Sequence, residues 1–188
     1  MKLSFREILE DTPIIAAVKN EEGLERCLAS EIQVVFILFG DICSISDIVE
    51  KVKKAGKIAM IHLDLINGLS SKEIALDFIR EYTQADGIIT TKSTLIKYAR
   101  QLSLYTVLRY FVMDSMALAN IEKQAGGILP DVIEVLPGVM PKIIRKVNEI
   151  SKVPVIAGGL ISDREDVMSA LNSGAVAISS TSYDVWFL

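Results

Sequence analysis

The sequence predicts a compact, single-domain (β/α)8 barrel of the TIM type, an α/β fold spanning residues 1–188. Three observations predict it. Eight short apolar runs, rich in β-branched residues, open at Ile14, Val34, Ile58, Asp86, Leu104, Asp131, Pro154 and Ala175. They are near-continuous rather than alternating, as suits parallel strands with helices on one side and a packed interior on the other. Seven polar-faced helical patterns fall between them, so the chain reads β then α throughout. The strand starts lie about 23 residues apart on average, against roughly 31 in a usual barrel of about 250 residues, so the loops must be short. An open doubly wound sheet competes, but near-equal units without a G-x-G-x-x-G fingerprint favour closure.

In order, IIAAVK ends on Lys19 and leads to a helix over 22–30. VVFILFG is followed by Asp41 and a helix over 44–54. IAMIHLDLI carries His62 and Asp64 before a helix over 71–82, and DGIITT runs up to Lys92 before one over 93–101. LYTVLRYFV carries Arg109 and DVIEVLPG carries Glu134, with helices over 114–124 and 141–151. The last two strands, over 154–157 and 175–179, flank a Gly158-Gly159 turn and a helix opening near Asp163. Ser70 or Ser71, Ser93, Asp114, and Ser162 or Asp163 supply oxygens for the free amides of helix first turns. Glycines 56, 126 and 174 mark returns to the next strand.

Composition bounds the function. The 188 residues suffice for one substantial core. The chain is 51% hydrophobic with mean hydropathy +0.39, yet no apolar run approaches the roughly 18 residues needed to cross a bilayer. Nothing near the N-terminus reads as a signal peptide, so a cytoplasmic location without membrane attachment is expected. Two cysteines, Cys27 and Cys43, form no close metal-binding pair, and His62 is the single histidine. Reduced structural thiols and no metal site are expected. With 20 basic against 24 acidic residues, net charge −4, the chain does not favour broad attachment to nucleic acid. Lys142, Arg145 and Lys146 cluster on one helix, and Lys51, Lys53, Lys54 and Lys57 around another; most such runs are solvated faces.

Short loops leave ligand chemistry to the strand ends, and these are polar. Lys19, Asp41, His62, Asp64, Lys92, Arg109 and Glu134 suggest a shared polar mouth at the C-terminal face, because charges in apolar strands are costly unless paired or facing a cleft. Each has a plainer reading: Asp41 and Asp114 as helix caps, His62 as a satisfied core histidine, Arg109 and Glu134 as an internal ion pair. His62 and Asp64 are spaced to share a strand face. At the last two strands, Gly158 and Gly159 lack a Cβ and let an anion approach the main chain, while Ser179, Ser180, Thr181 and Ser182 add amides and hydroxyls. A phosphate cradle is predicted there. It requires both turns on one rim with no acidic side chain between them.

The segments HLDLINGLS (62–70), DGIITTK (86–92), LRYFVMDSMAL (108–118), PDVIEVLPGVMPK (130–142), PVIAGGLI and GAVAISST resemble the glycerol-3-phosphate-responsive antiterminator family from about Ile14 to Trp186. The resemblance implies a non-enzymatic barrel that binds glycerol 3-phosphate and, when loaded, engages the leader of a nascent messenger RNA to prevent premature termination. On that reading there is no catalytic residue, metal or cofactor. From the strand-end chemistry, the phosphate of such a ligand is expected on Gly158, Gly159, Ser179, Ser180 and Thr181, helped by Lys92 or Arg109, with Lys19, His62, Asp64 and Glu134 as candidates for the glycerol hydroxyls. A homo-oligomer would double a small basic patch. The competing reading is an isomerase, aldolase or synthase acting on small phosphorylated metabolites, with Lys92 as a Schiff-base amine and Glu134, or Asp64 with His62, transferring protons. A third is a phosphate-binding interaction module without turnover or RNA.

Overall fold

A computed structural model describes residues 3–188. Eight strands, β1 (Ile14–Val18), β2 (Val34–Ile37), β3 (Ile58–His62), β4 (Gly87–Thr90), β5 (Tyr105–Phe111), β6 (Val132–Leu136), β7 (Val155–Gly158) and β8 (Ala177–Ser180), pair in parallel and in sequence order. β8 closes on β1 through the register Ile15↔Ser179 and Ala16↔Ser180. Seven helices follow the first seven strands: α2 (Glu21–Leu28), α3 (Ile45–Lys54), α4 (Glu73–Tyr82), α5 (Ile96–Gln101), α6 (Ser115–Gln124), α7 (Pro141–Ile150) and α8 (Arg164–Asn172). Two more helices escaped the pattern reading: α1 (Phe5–Asp11), before β1, and α9 (Tyr183–Trp186), after β8. The short α9 is tied down by Trp186, whose indole N–H donates to the Ser180 carbonyl at 2.7 Å, and Arg26 of α2 stacks over Tyr183.

Alternation along the strands sorts the side chains. Ile15, Val34, Phe36, Met60, Ile89, Val107, Val132, Ile156 and Ala177 form one buried cluster inside the barrel, while their chain neighbours pack outward under the helices. Helix α1 closes the N-terminal end: Phe5 and Leu9 join the interior cluster, and Phe5 stacks on Tyr105 at 5.0 Å. A capping box holds its start, since Ser4 Oγ accepts from the Glu7 amide and the Glu7 carboxylate accepts from the Ser4 amide. With the bottom plugged and the middle filled by hydrocarbon, the C-terminal mouth is the end left to bind anything.

Several expected boundaries move. β3 ends at His62 because a 3-10 turn over Leu63–Leu65 follows, and the helix expected over 93–101 divides into a 3-10 turn, Ser93–Leu95, and α5. Asp114 and Asp163 cap as expected, accepting from the Ala117 and Asp166 amides. Ser70 and Ser71 do not cap, since α4 begins after Lys72 without a side-chain cap. Asp41 accepts from the Cys43 and Ser44 amides, closing the turn before α3. Cys27 is buried, Cys43 exposed, and both are free thiols. No helix among the described residues is long and apolar enough to cross a membrane.

Candidate functional site

The topmost interior layer is polar. Strand parity turns His62, Arg109, Glu134 and Ser179 inward, one step above the hydrocarbon cluster, and all four are buried, Glu134 fully so. Arg109 and Glu134 lie opposite each other on adjacent strands, and Arg109 Nε donates to Glu134 Oε2 at 2.6 Å. The other carboxylate oxygen accepts from Ser179 Oγ at 2.5 Å. A buried carboxylate is tolerable only when compensated in this way; removing one partner of such a pair costs about 3–5 kcal/mol. The Arg109 side chain also lines a cleft of about 540 Å³ with Glu134, Gly159, Leu160, Ser180 and Thr181.

This arrangement corrects the expected cradle. The Gly158-Gly159 turn and the end of β8 do share one rim, with Gly158 beside Ser179. However, the position a Cβ on Gly158 would take is filled by the Glu134 carboxylate and the Ser179 hydroxyl. Gly158 therefore makes room for a buried carboxylate and offers no open main chain on that side; the acidic group that had to be absent is present. Space opens one residue higher, at Gly159. Gly159 (φ +80°) and Leu160 (φ +64°) both adopt the left-handed region, leaving Leu160 76% exposed on the rim. Ser180 Oγ is committed to the Ile161 carbonyl and accepts from the Ser182 amide, so it shapes the loop after β7. Thr181 is exposed at the lip.

The remaining candidates separate. His62 does not share a face with Asp64, because the 3-10 turn breaks the alternation. Asp64 instead accepts from the Thr91 amide at 2.7 Å, from both Thr90 and Thr91 hydroxyls, and from Ser71, fastening the β3 loop to the end of β4. His62 keeps a buried Nδ1 with no hydrogen-bond partner. Burial first, then the neighbouring Arg109 charge, push its pKa down to about 4, with Asp64 opposing; the ring is neutral at physiological pH. Lys19 and Lys92 are exposed strand-end residues outside the cleft, and Lys92 is not the desolvated amine that Schiff-base chemistry uses. Among the described residues, no group of three or more His, Cys, Asp or Glu is placed to hold a metal ion.

Of the two basic clusters, the one around α3 is neutralised. Lys51 pairs with Glu21, Lys53 with Asp86 and Lys54 with Glu50, while buried Lys57 donates to the Ser30 and Ile32 carbonyls. On α7, Arg145 reaches Ser173 and Lys142 and Lys146 stand in solvent.

Sequence reasoning missed the apolar walls Ala17, Leu38 and Leu136 of the cleft and the role of Gly138. A Cβ on Gly138 would meet the Gly158 backbone at 2.9 Å, and its amide donates to the Gly159 carbonyl. The glycine of EVLPG thus lets the loops after β6 and β7 touch. A glycine just past each strand end was the available signal.

Fold and site define a small (β/α)8 barrel with a charge-balanced polar pocket in its C-terminal mouth. Residues 14–186 match the model of the glycerol-3-phosphate responsive antiterminator family, and the chain belongs to that family. A protein of Escherichia coli (strain K12) called YgcP is 46% identical over 181 residues, covering 96% of this chain and 95% of its own. Two solved structures are also similar. The glycerol uptake operon antiterminator regulatory protein of Listeria monocytogenes str. 4b F2365 has TM-score 0.91 and 31% identity, covering 99% of this chain and 98% of its own. A glycerol uptake operon antiterminator-related protein of Thermotoga maritima MSB8 has TM-score 0.80 and 33% identity, covering 93% and 98%.

Proposed function

We propose that the mouth binds glycerol 3-phosphate and that the loaded barrel engages a leader messenger RNA as a transcription antiterminator. The observation that carries the ligand half is the buried layer of His62, Arg109, Glu134 and Ser179 beneath an open lip. Hydroxyls of a three-carbon alcohol reach down to the Glu134 carboxylate and to His62 Nδ1, whose missing partner is otherwise a desolvation cost of about 1–3 kcal/mol. The phosphate stays at the lip, where Thr181 is exposed and where Arg109, buried beneath, lines the cleft together with Gly159. Glu134 repels a dianion placed lower, which sets the ligand's direction. The RNA half is supported by family membership and by the names of the Listeria and Thermotoga neighbours.

Calorimetry tests the ligand half. Glycerol 3-phosphate is expected to bind, glycerol and inorganic phosphate each far more weakly, and Arg109→Met to lose about two orders of magnitude. No heat with the wild-type chain removes the reading. Turnover of triose phosphates would instead favour an enzyme, to which a neutral histidine in a barrel mouth gives some support.

A further inference from the structure

We infer that the groove between α5 and α6 is the surface that takes single-stranded RNA, an inference that rests on the regulatory reading above. Helix α4 packs against α5 and α6 against α7, whereas α5 and α6, like α2 and α3 and like α3 and α4, make few contacts. The gap is a groove of about 490 Å³, floored by Leu108 and Tyr110 and walled by Thr91, Ser93, Asn120, Lys123 and Gln124. Its lining contains no carboxylate, although the chain as a whole carries net charge −4. Lys123 is the charged residue of the lining; on the α5 side Lys92 and Lys97 are exposed, and Arg100 donates to the Leu129 carbonyl at 2.6 Å.

The lining suits unpaired nucleotides. Hydroxyls and carboxamides offer both donors and acceptors to exposed base edges, lysines meet phosphates, and an aromatic ring gives a base a face to stack on. Tyr110 is half-buried, its hydroxyl makes no protein hydrogen bond among the described residues, and burial raises its pKa to about 12; it stays a neutral donor. Phe111, at the end of the same strand, is 54% exposed. Double-stranded nucleic acid fits poorly, because the groove is a notch between two helices and presents no extended basic face.

The groove also has a physical path to the ligand. Along β5, Arg109 points into the mouth and bonds Glu134, while the next residue, Tyr110, points out into the groove. Just past β4, Thr91 lines the groove, and its amide and hydroxyl donate to Asp64 in the loop after β3. A ligand that repositions Arg109 therefore acts on a strand whose outer face is the groove floor.

The test enriches a randomised single-stranded RNA pool on the full wild-type chain saturated with glycerol 3-phosphate and measures the enriched RNA by filter binding. Lys123→Glu, Asn120→Ala and Tyr110→Phe are expected to weaken binding, the charge reversal by at least about tenfold. The log–log salt slope should drop by about 0.7 for each lysine–phosphate pairing that is removed. Calorimetric affinity for glycerol 3-phosphate should stay unchanged in all three, and Lys146→Glu on α7 should bind RNA as wild type does. RNA that binds all groove variants like wild type overturns the groove and leaves the regulatory reading standing. A pool that never enriches on the loaded chain overturns both.

Discussion

Replacing Gly158 with alanine probes the packing on which the site depends. The added Cβ would lie 2.5 Å from Ser179 Oγ and 3.1 Å from Glu134 Cδ, closer still to the carboxylate oxygen. None of these groups is the free end of a flexible chain, since Glu134 is held by Arg109 on one side and Ser179 on the other. Overpacking of this kind costs about 1–3 kcal/mol, and displacing the carboxylate weakens a charge-assisted bond worth about 1.5–3 kcal/mol. The two losses overlap, so about 3 kcal/mol is expected, equivalent to about 6–12 °C in Tm for a chain of this size. Urea unfolding of the wild type, Gly158→Ala, Ser179→Ala and the double variant measures it. Removing Ser179 Oγ should relieve part of the clash, giving a favourable coupling of at least about 0.5 kcal/mol. A Gly158→Ala loss below about 0.5 kcal/mol would refute the packing, because it would mean that the Cβ position is open and that Gly158 presents bare backbone after all.

Further outcomes follow from the same geometry. His62 is held neutral with its pKa lowered to about 4, so its contribution is fully present above its unfolded value of about 6.5 and is lost as pH falls toward 4. The wild type should lose about 3 kcal/mol over that window relative to His62→Asn, read by urea melts at about pH 7.5 and pH 4.5; parallel curves would count against a buried neutral ring. Asp64→Ala removes the acceptor for the Thr91 amide and for the Thr90, Thr91 and Ser71 hydroxyls, and should cost about 2–3 kcal/mol while speeding amide exchange over residues 63–71. Native protein should titrate one thiol with a disulfide reagent, the exposed Cys43, because burial lifts Cys27 to about 11; a second equivalent should appear only on denaturation.

The strands were legible because parallel strands between two apolar layers leave a composition signal. Eight β-branched runs sufficed to predict closure, and each predicted strand lies within a few residues of the observed one. The two extra helices were not legible. α1 is held by Phe5 and Leu9 entering the barrel and by a local capping box, and α9 is only four residues long, so neither shows enough periodicity to stand out. The end of β3 was misplaced because HLDL continues an apolar run while the backbone turns into a 3-10 helix, which moved Asp64 off the face assigned to it. At the site, charged residues in apolar strands correctly marked Arg109, Glu134 and His62 as interior positions. Which of them would meet was a matter of register: Arg109↔Glu134 and Gly158↔Ser179 are strand pairings between segments 21 to 25 residues apart.

By itself, then, the sequence determined the eight parallel units, the direction of their loops and the polarity of one end, since each is written in local residue type and spacing. Tertiary structure alone decided that Glu134 lies against Gly158, that the open backbone begins at Gly159, that the lysines around α3 are neutralised and that a gap remains between α5 and α6. These are contacts between residues distant in the chain, fixed by barrel closure and side-chain volume, and no local pattern encodes them.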